Sequence, residues 1–170
     1  MSAGTSRAVR VGAVVVAQLA LVGVAVWPSL SARVTGEQVT LRVQPLDPVD
    51  PLRGAYVELS YPDLPAQTFS SDPGLEQQQV LDEERGAAYV PLTRRGPVWV
   101  GGPVVRTPPA DGLYLACDDS DYRLRCGIER WFLPQDAAAG MQGALRGGTA
   151  RATVKVDAAG HAALVAVTVP

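Results

Sequence analysis

The sequence predicts a mainly β protein, an antiparallel barrel or sandwich of about eight strands with one short helix, preceded by one N-terminal transmembrane helix. Three observations carry that expectation. Short runs between Gly and Pro clusters alternate apolar and polar residues with period two, as half-buried strands do. No strand-helix-strand rhythm runs along the chain, so a parallel sheet is not indicated. The run Val11 to Trp27 is apolar apart from Gln18, and it has no polar side on which an amphipathic surface helix could face water.

That run comes first in chain order. Its 17 residues extend about 25 Å as a helix, close to a hydrocarbon core of about 30 Å once the flank to Leu30 is added. Arg7 and Arg10 precede it and are the only charges among the first 32 residues, while Trp27 stands at its far end. This polarity orients the N-terminus to the cytoplasm and sends the remainder across. The expected organisation is a cytoplasmic N-terminus at 1–10, a signal-anchor at 11–30, a linker at 31–36 and an extracytoplasmic β domain at 37–170. The run is long for a secretory apolar region, which favours a retained anchor; the small residues of Ser29-Leu30-Ser31 leave cleavage after Ser31 as the alternative. No Cys directly follows the run, which excludes a lipoprotein site.

Beyond the leader, Glu37 to Gln44 alternates Val39, Leu41 and Val43 against Gln38, Thr40 and Arg42 and reads as a strand. Asp47-Pro48-Val49-Asp50-Pro51-Leu52-Arg53-Gly54 is a stiff corner, because Pro restricts itself and its predecessor while Gly54 tolerates positive φ. Ala55 to Tyr61 alternates again. Leu64 to Glu84 is broken by Pro65, Pro73 and Gly74 and has no clear element. Gly86 to Thr93 and Pro97 to Arg106 read as strands around Arg94-Arg95-Gly96. Pro97 and Pro103 place the second of these at an edge, and Gly101-Gly102 predicts a bulge. Leu113 to Cys117 and Leu124 to Phe132 flank the acidic loop Asp118-Asp119-Ser120-Asp121-Tyr122. Gln135 to Leu145, with Asp136 as N-cap and Gly147 past its end, is the short helix. Arg151 to Val156 and His161 to Val169 close the chain as a hairpin.

Charge narrows the function classes. The chain carries a net charge of −2, and without the first 32 residues it has 13 basic against 17 acidic groups, or −4. Nucleic acid would call for a basic face, so it is not an expected partner.

Gly54, Tyr56, Leu59 and Tyr61 form G-x-Y-x-x-L-x-Y, and Gly127-Ile128-Glu129-Arg130 is followed by the aromatic pair Trp131-Phe132 and by Pro134. On these residues, and on the final turn Val156 to Leu164, the chain resembles the bacterial GDYXXLXY family, a membrane-anchored group without an established activity. The resemblance covers most of the chain beyond the leader and implies an anchor followed by a domain with two signatures. Ala55 stands where the family name has Asp, which argues against a catalytic carboxylate at that position.

Candidate chemistry is sparse. Cys117 and Cys126 face each other across a hairpin and, in an exported domain, read as a disulfide rather than two independent thiols. One His and two Cys make no zinc set, and neither a metal nor a cofactor is expected. Asp118 to Asp121 could offer oxygen ligands to calcium, but a solvated hairpin tip is the better reading. Asp47, Asp50, Arg53 and Glu129 form a possible polar cluster. The two Asp residues invite acid and base roles, although Asp before Pro commonly caps a turn. Arg53 or Arg130 paired with Asp50 or Glu129 would tie the two signatures together. Tyr56, Tyr61, Trp131 and Phe132 are expected in the core, with a ligand groove as the alternative. A membrane-anchored peptidase with a Ser-Lys dyad needs a Lys near mid-domain, and the chain has only Lys155, near its end; His161 at a hairpin tip supports no Ser-His-Asp triad. The leading expectation is therefore a non-enzymatic accessory domain for another envelope component, such as a multi-pass membrane protein. The alternative is a hydrolase or small-ligand binder using Asp50, Arg53 and Glu129.

Overall fold

The computed structural model describes residues 3–45, 56–65, 85–120, 123–132 and 150–169. Within them one long helix, α1 (Ala3–Thr35), precedes nine strands: β1 (Glu37–Arg42), β2 (Gln44–Pro45), β3 (Tyr56–Ser60), β4 (Ala87–Arg95), β5 (Val98–Gly101), β6 (Tyr114–Asp118), β7 (Arg130–Phe132), β8 (Arg151–Val156) and β9 (Ala162–Thr168). The expected helix at 135–145, the Asp47 to Ala55 corner and most of the stretch from Leu64 to Glu84 lie outside the described residues.

α1 is longer than the apolar run alone suggests. Its segment Val9–Thr35 is long and apolar enough to cross a membrane, and no part of its most apolar window is buried against the rest of the chain. Pro28 lies inside the helix, where it removes one bond of the i to i−4 ladder without ending it. The residues from Ser31 to Thr35, expected in a linker, are helical instead. Their helical form has a physical cause: Ala32 is fully buried, Gly36 donates its N–H to the Ala32 carbonyl at 3.0 Å, and the Lys155 ammonium donates to the Arg33 carbonyl at 2.8 Å. Docking against the β domain holds the last turn in register.

The strands form three antiparallel three-stranded sheets, ordered β1-β8-β9, β2-β3-β7 and β5-β4-β6. β1 runs on through Val43 into β2, so one extended segment pairs first with β8 and then with β3. The third sheet joins the others at its edges. Gly101 N–H donates to the Asp63 carbonyl beyond β3, and Ala116 N–H donates to Gly160 in the β8-β9 turn, both at 2.8 Å. Arg42 also clasps the Asp63 carboxylate through Nε and Nη2. One core lies between the sheets: Val39, Leu41 and Val43 from the β1-β2 segment, Val90 and Leu92 from β4, Leu115 from β6, and Val154 and Val156 from β8. These are the inward positions of the alternation, and burying each Val or Leu contributes roughly 1.5–3 kcal/mol.

Two irregularities have local causes. Leu92 pairs with Gly101 and Tyr89 with Val105, so three steps on β4 face four on the other strand; this is the bulge that Gly101-Gly102 predicts. It also accommodates Pro91 in a central strand, because the Pro91 carbonyl accepts from Gly102 and the missing donor falls on the bulged side. In the closing hairpin the register slips between Thr153 and Val154, leaving Val165 as the extra residue, turned outward.

Candidate functional site

The two signature segments meet in the core and are welded by hydrogen bonds. Tyr61, next after β3 and only 7% exposed, donates its hydroxyl to the Ile128 carbonyl at 2.7 Å. Leu59 N–H donates to the Glu129 carbonyl at 2.7 Å, and β3 pairs with β7 through Tyr56, Val57 and Glu58 opposite Phe132, Trp131 and Arg130. The Glu129 carboxylate turns back on its own corner and accepts the N–H groups of Cys126 at 2.5 Å and Gly127 at 3.0 Å. Gly127 sits at φ 80°, a conformation that a side chain would strain. Burial first, and the negative Glu129 second, hold the Tyr61 phenol well above its usual range. It is therefore a permanent donor, not an acid or base at physiological pH.

A second group lies on the other side of this corner. Cys117 of β6 and Cys126 are joined in a disulfide, just outside the bridge between Asp118 and Arg125. Asp119, expected in a solvated loop, is instead 2% exposed. Its carboxylate accepts the Gly86 N–H at 2.7 Å and pairs with Arg106 at 2.7 Å, while its own N–H donates to the Gly86 carbonyl. Position in an acidic run hides this role, because Gly86, the residue just before β4 that Asp119 faces, gives no sign of it in the sequence. Asp118 remains exposed and accepts the Ser120 N–H; the Ser120 hydroxyl first and this N–H second hold its carboxyl below the usual range. Among the described residues no group of three or more His, Cys, Asp or Glu is placed to hold a metal ion.

The third group is the joint between helix and domain. In the β8-β9 turn, Asp157 Oδ1 accepts the N–H groups of Ala159 and His161, each at 2.9 Å, and Oδ2 lies 3.0 Å from His161 Nδ1. The Ser31 hydroxyl of α1 also favours the charged form of this carboxylate. Burial pushes the Asp157 pKa up, but the bonds from Ser31, His161 and Ala159 outweigh it and the net shift is downward. Gly36 makes the close approach possible: a Cβ there would lie 2.9 Å from the Val156 nitrogen and 3.0 Å from its carbonyl carbon, and closer still to the Ala32 oxygen. All three obstacles are backbone and cannot move aside.

The expected site residues divide accordingly. Leu59 and Tyr61 are buried, Gly127 and Glu129 build the turn, and Arg130 lies on the exposed side of β7, opposite Glu58. Trp131 packs partly buried against the core, whereas Phe132 is 75% exposed: neighbours in a strand face opposite ways, so the two could not both be core. Asp47, Asp50, Arg53 and Gly54 lie outside the described residues, as does the side chain of Tyr56.

The family described as GDYXXLXY protein matches residues 18–167. No curated protein and no solved structure matches the chain.

Proposed function

This chain belongs to the GDYXXLXY protein family, and from that membership and the bare apolar helix we propose that it is a single-pass, membrane-anchored accessory protein. Its β domain lies outside the cytoplasm and binds or steadies another envelope component, of which a multi-pass membrane protein is the best fit. The observation that carries this reading is α1. An apolar helix whose most hydrophobic window is not buried against its own chain has that surface satisfied by lipid. Arg7 and Arg10 before the span, against Trp27 near its far end, orient the domain outward. The Cys117–Cys126 disulfide suits an oxidising compartment.

The domain's polar residues support a binding role over a catalytic one. Glu129 spends both carboxylate oxygens on backbone donors, Tyr61 donates to a buried carbonyl, and Asp119 is paired with Arg106. Each is engaged in holding the fold. A reporter enzyme that works only outside the cytoplasm, fused after Pro170, is expected to be active, and the chain to stay in the membrane pellet after alkaline extraction. Purification from detergent-solubilised membranes is expected to enrich one multi-pass protein. A reporter held in the cytosol overturns the placement; recovery of the chain with no enriched membrane protein overturns the accessory role.

A further inference from the structure

We propose that two copies of this chain associate in the membrane through Gln18, whose side-chain amides bond each other across the interface between two parallel α1 helices. The inference rests on the membrane-anchor reading above and adds a partner to it. Gln18 is the one polar side chain between Arg10 and Trp27. It lies eight residues from the first and nine from the second, or about 12 and about 14 Å along the axis, which puts it near the middle of the hydrocarbon. There it is exposed on a helix that buries none of this window within its own chain.

A primary amide at that depth has two donors and an acceptor and no water to satisfy them. Leaving it bare against lipid is costly, and an interhelical hydrogen bond is the available remedy. The amide is also its own complement. Copies of one chain insert with one orientation, so in a parallel pair the two Gln18 side chains reach the same depth without further design, each donating to the other's carbonyl oxygen. Another transmembrane protein would need a polar group placed at that depth, whereas a second copy always brings one. The helix therefore carries a self-complementary contact, and a second copy is the occupant that it fits.

The face around Gln18 includes Val14 and Val22, one turn to either side, whereas Val16 and Ala20 point away. The test is oxidative crosslinking of the full chain in native membranes, with single cysteines at these positions and the native pair left in its disulfide. Val14→Cys and Val22→Cys are expected to give crosslinked species of twice the chain mass, and Val16→Cys and Ala20→Cys little. Gln18→Leu, which only makes the span more apolar, is expected to weaken co-purification of two differently tagged copies about tenfold, and Gln18→Asn to retain most of it. Equal crosslinking on all faces, pairing unaffected by Gln18→Leu, or a Gln18-dependent product joined to a different protein would each overturn the proposal. Alkaline extraction of the same membranes separates the two readings: a chain that stays in the pellet without pairing refutes the dimer alone, and one that is released refutes the anchor.

Discussion

At the scale of single residues, the signature is a description of packing. Leu59 and Tyr61 are the inward positions of β3 and its extension, and Tyr61 adds a polar task, the bond to Ile128 O. Replacing Tyr61 with Phe keeps the ring but leaves a buried carbonyl without its donor, which costs roughly 1–3 kcal/mol. Urea unfolding of the purified chain in detergent is expected to show that loss with an unchanged m-value; a midpoint equal to the parent's would show that the bond contributes nothing. Alternation made the burial of Tyr61 legible, since period two distinguishes inside from outside. Its partner was not legible, because Ile128 acts through its backbone, which every residue shares. Glu129 and Asp119 have the same cause of obscurity: both carboxylates cap N–H groups of nearby turns, and no residue type marks a turn amide as the one to be capped.

Among elements, strands bounded by Gly and Pro were legible and their lengths were not. β5 ends at Gly101 where a longer strand is expected, and β7 shrinks to three residues, because pairing partners, absent from any local pattern, decide where a ladder stops. The disulfide is the clearest link between elements. It fastens β6 to the Gly127 corner over a sequence separation of 9, and closing so short a loop stabilises by roughly 2–3 kcal/mol in the chain-entropy account. The double variant Cys117→Ala, Cys126→Ala is expected to unfold at correspondingly lower urea, and dithiothreitol to produce the same shift in the parent. If reduction and the double variant both leave the midpoint in place, the bridge is not a stabilising element.

For the whole molecule, the decisive feature is that helix and domain are continuous, with Gly36 alone between α1 and β1. Ala32, Gly36 and the Lys155 to Arg33 bond fix the direction of α1 relative to the sheet, which suits the anchored accessory role proposed above. Composition between Ser29 and Gly36 could not reveal this, because the helical form depends on contacts with residues more than 100 positions away, such as Lys155 to Arg33 at a separation of 122. The joint is also sensitive to acid. Asp157 titrates below its ordinary 3.8 because the bonds from Ser31, His161 and Ala159 favour its charged form. A group with a depressed folded pKa contributes stability that is complete above its unfolded value and is lost as pH falls through the folded one, so the turn against which α1 packs is expected to loosen only in strong acid. Spin labels at Val34→Cys and Val165→Cys, both exposed positions, are expected to give a narrow distance distribution in lipid nanodiscs that broadens as pH drops below 3.8, before circular dichroism reports loss of the sheet. Asp157→Asn is expected to be broad from the start and to show no such transition. A parent distribution that stays narrow until the sheet itself melts would mean that packing at Gly36 and Ala32 holds the joint without the carboxylate.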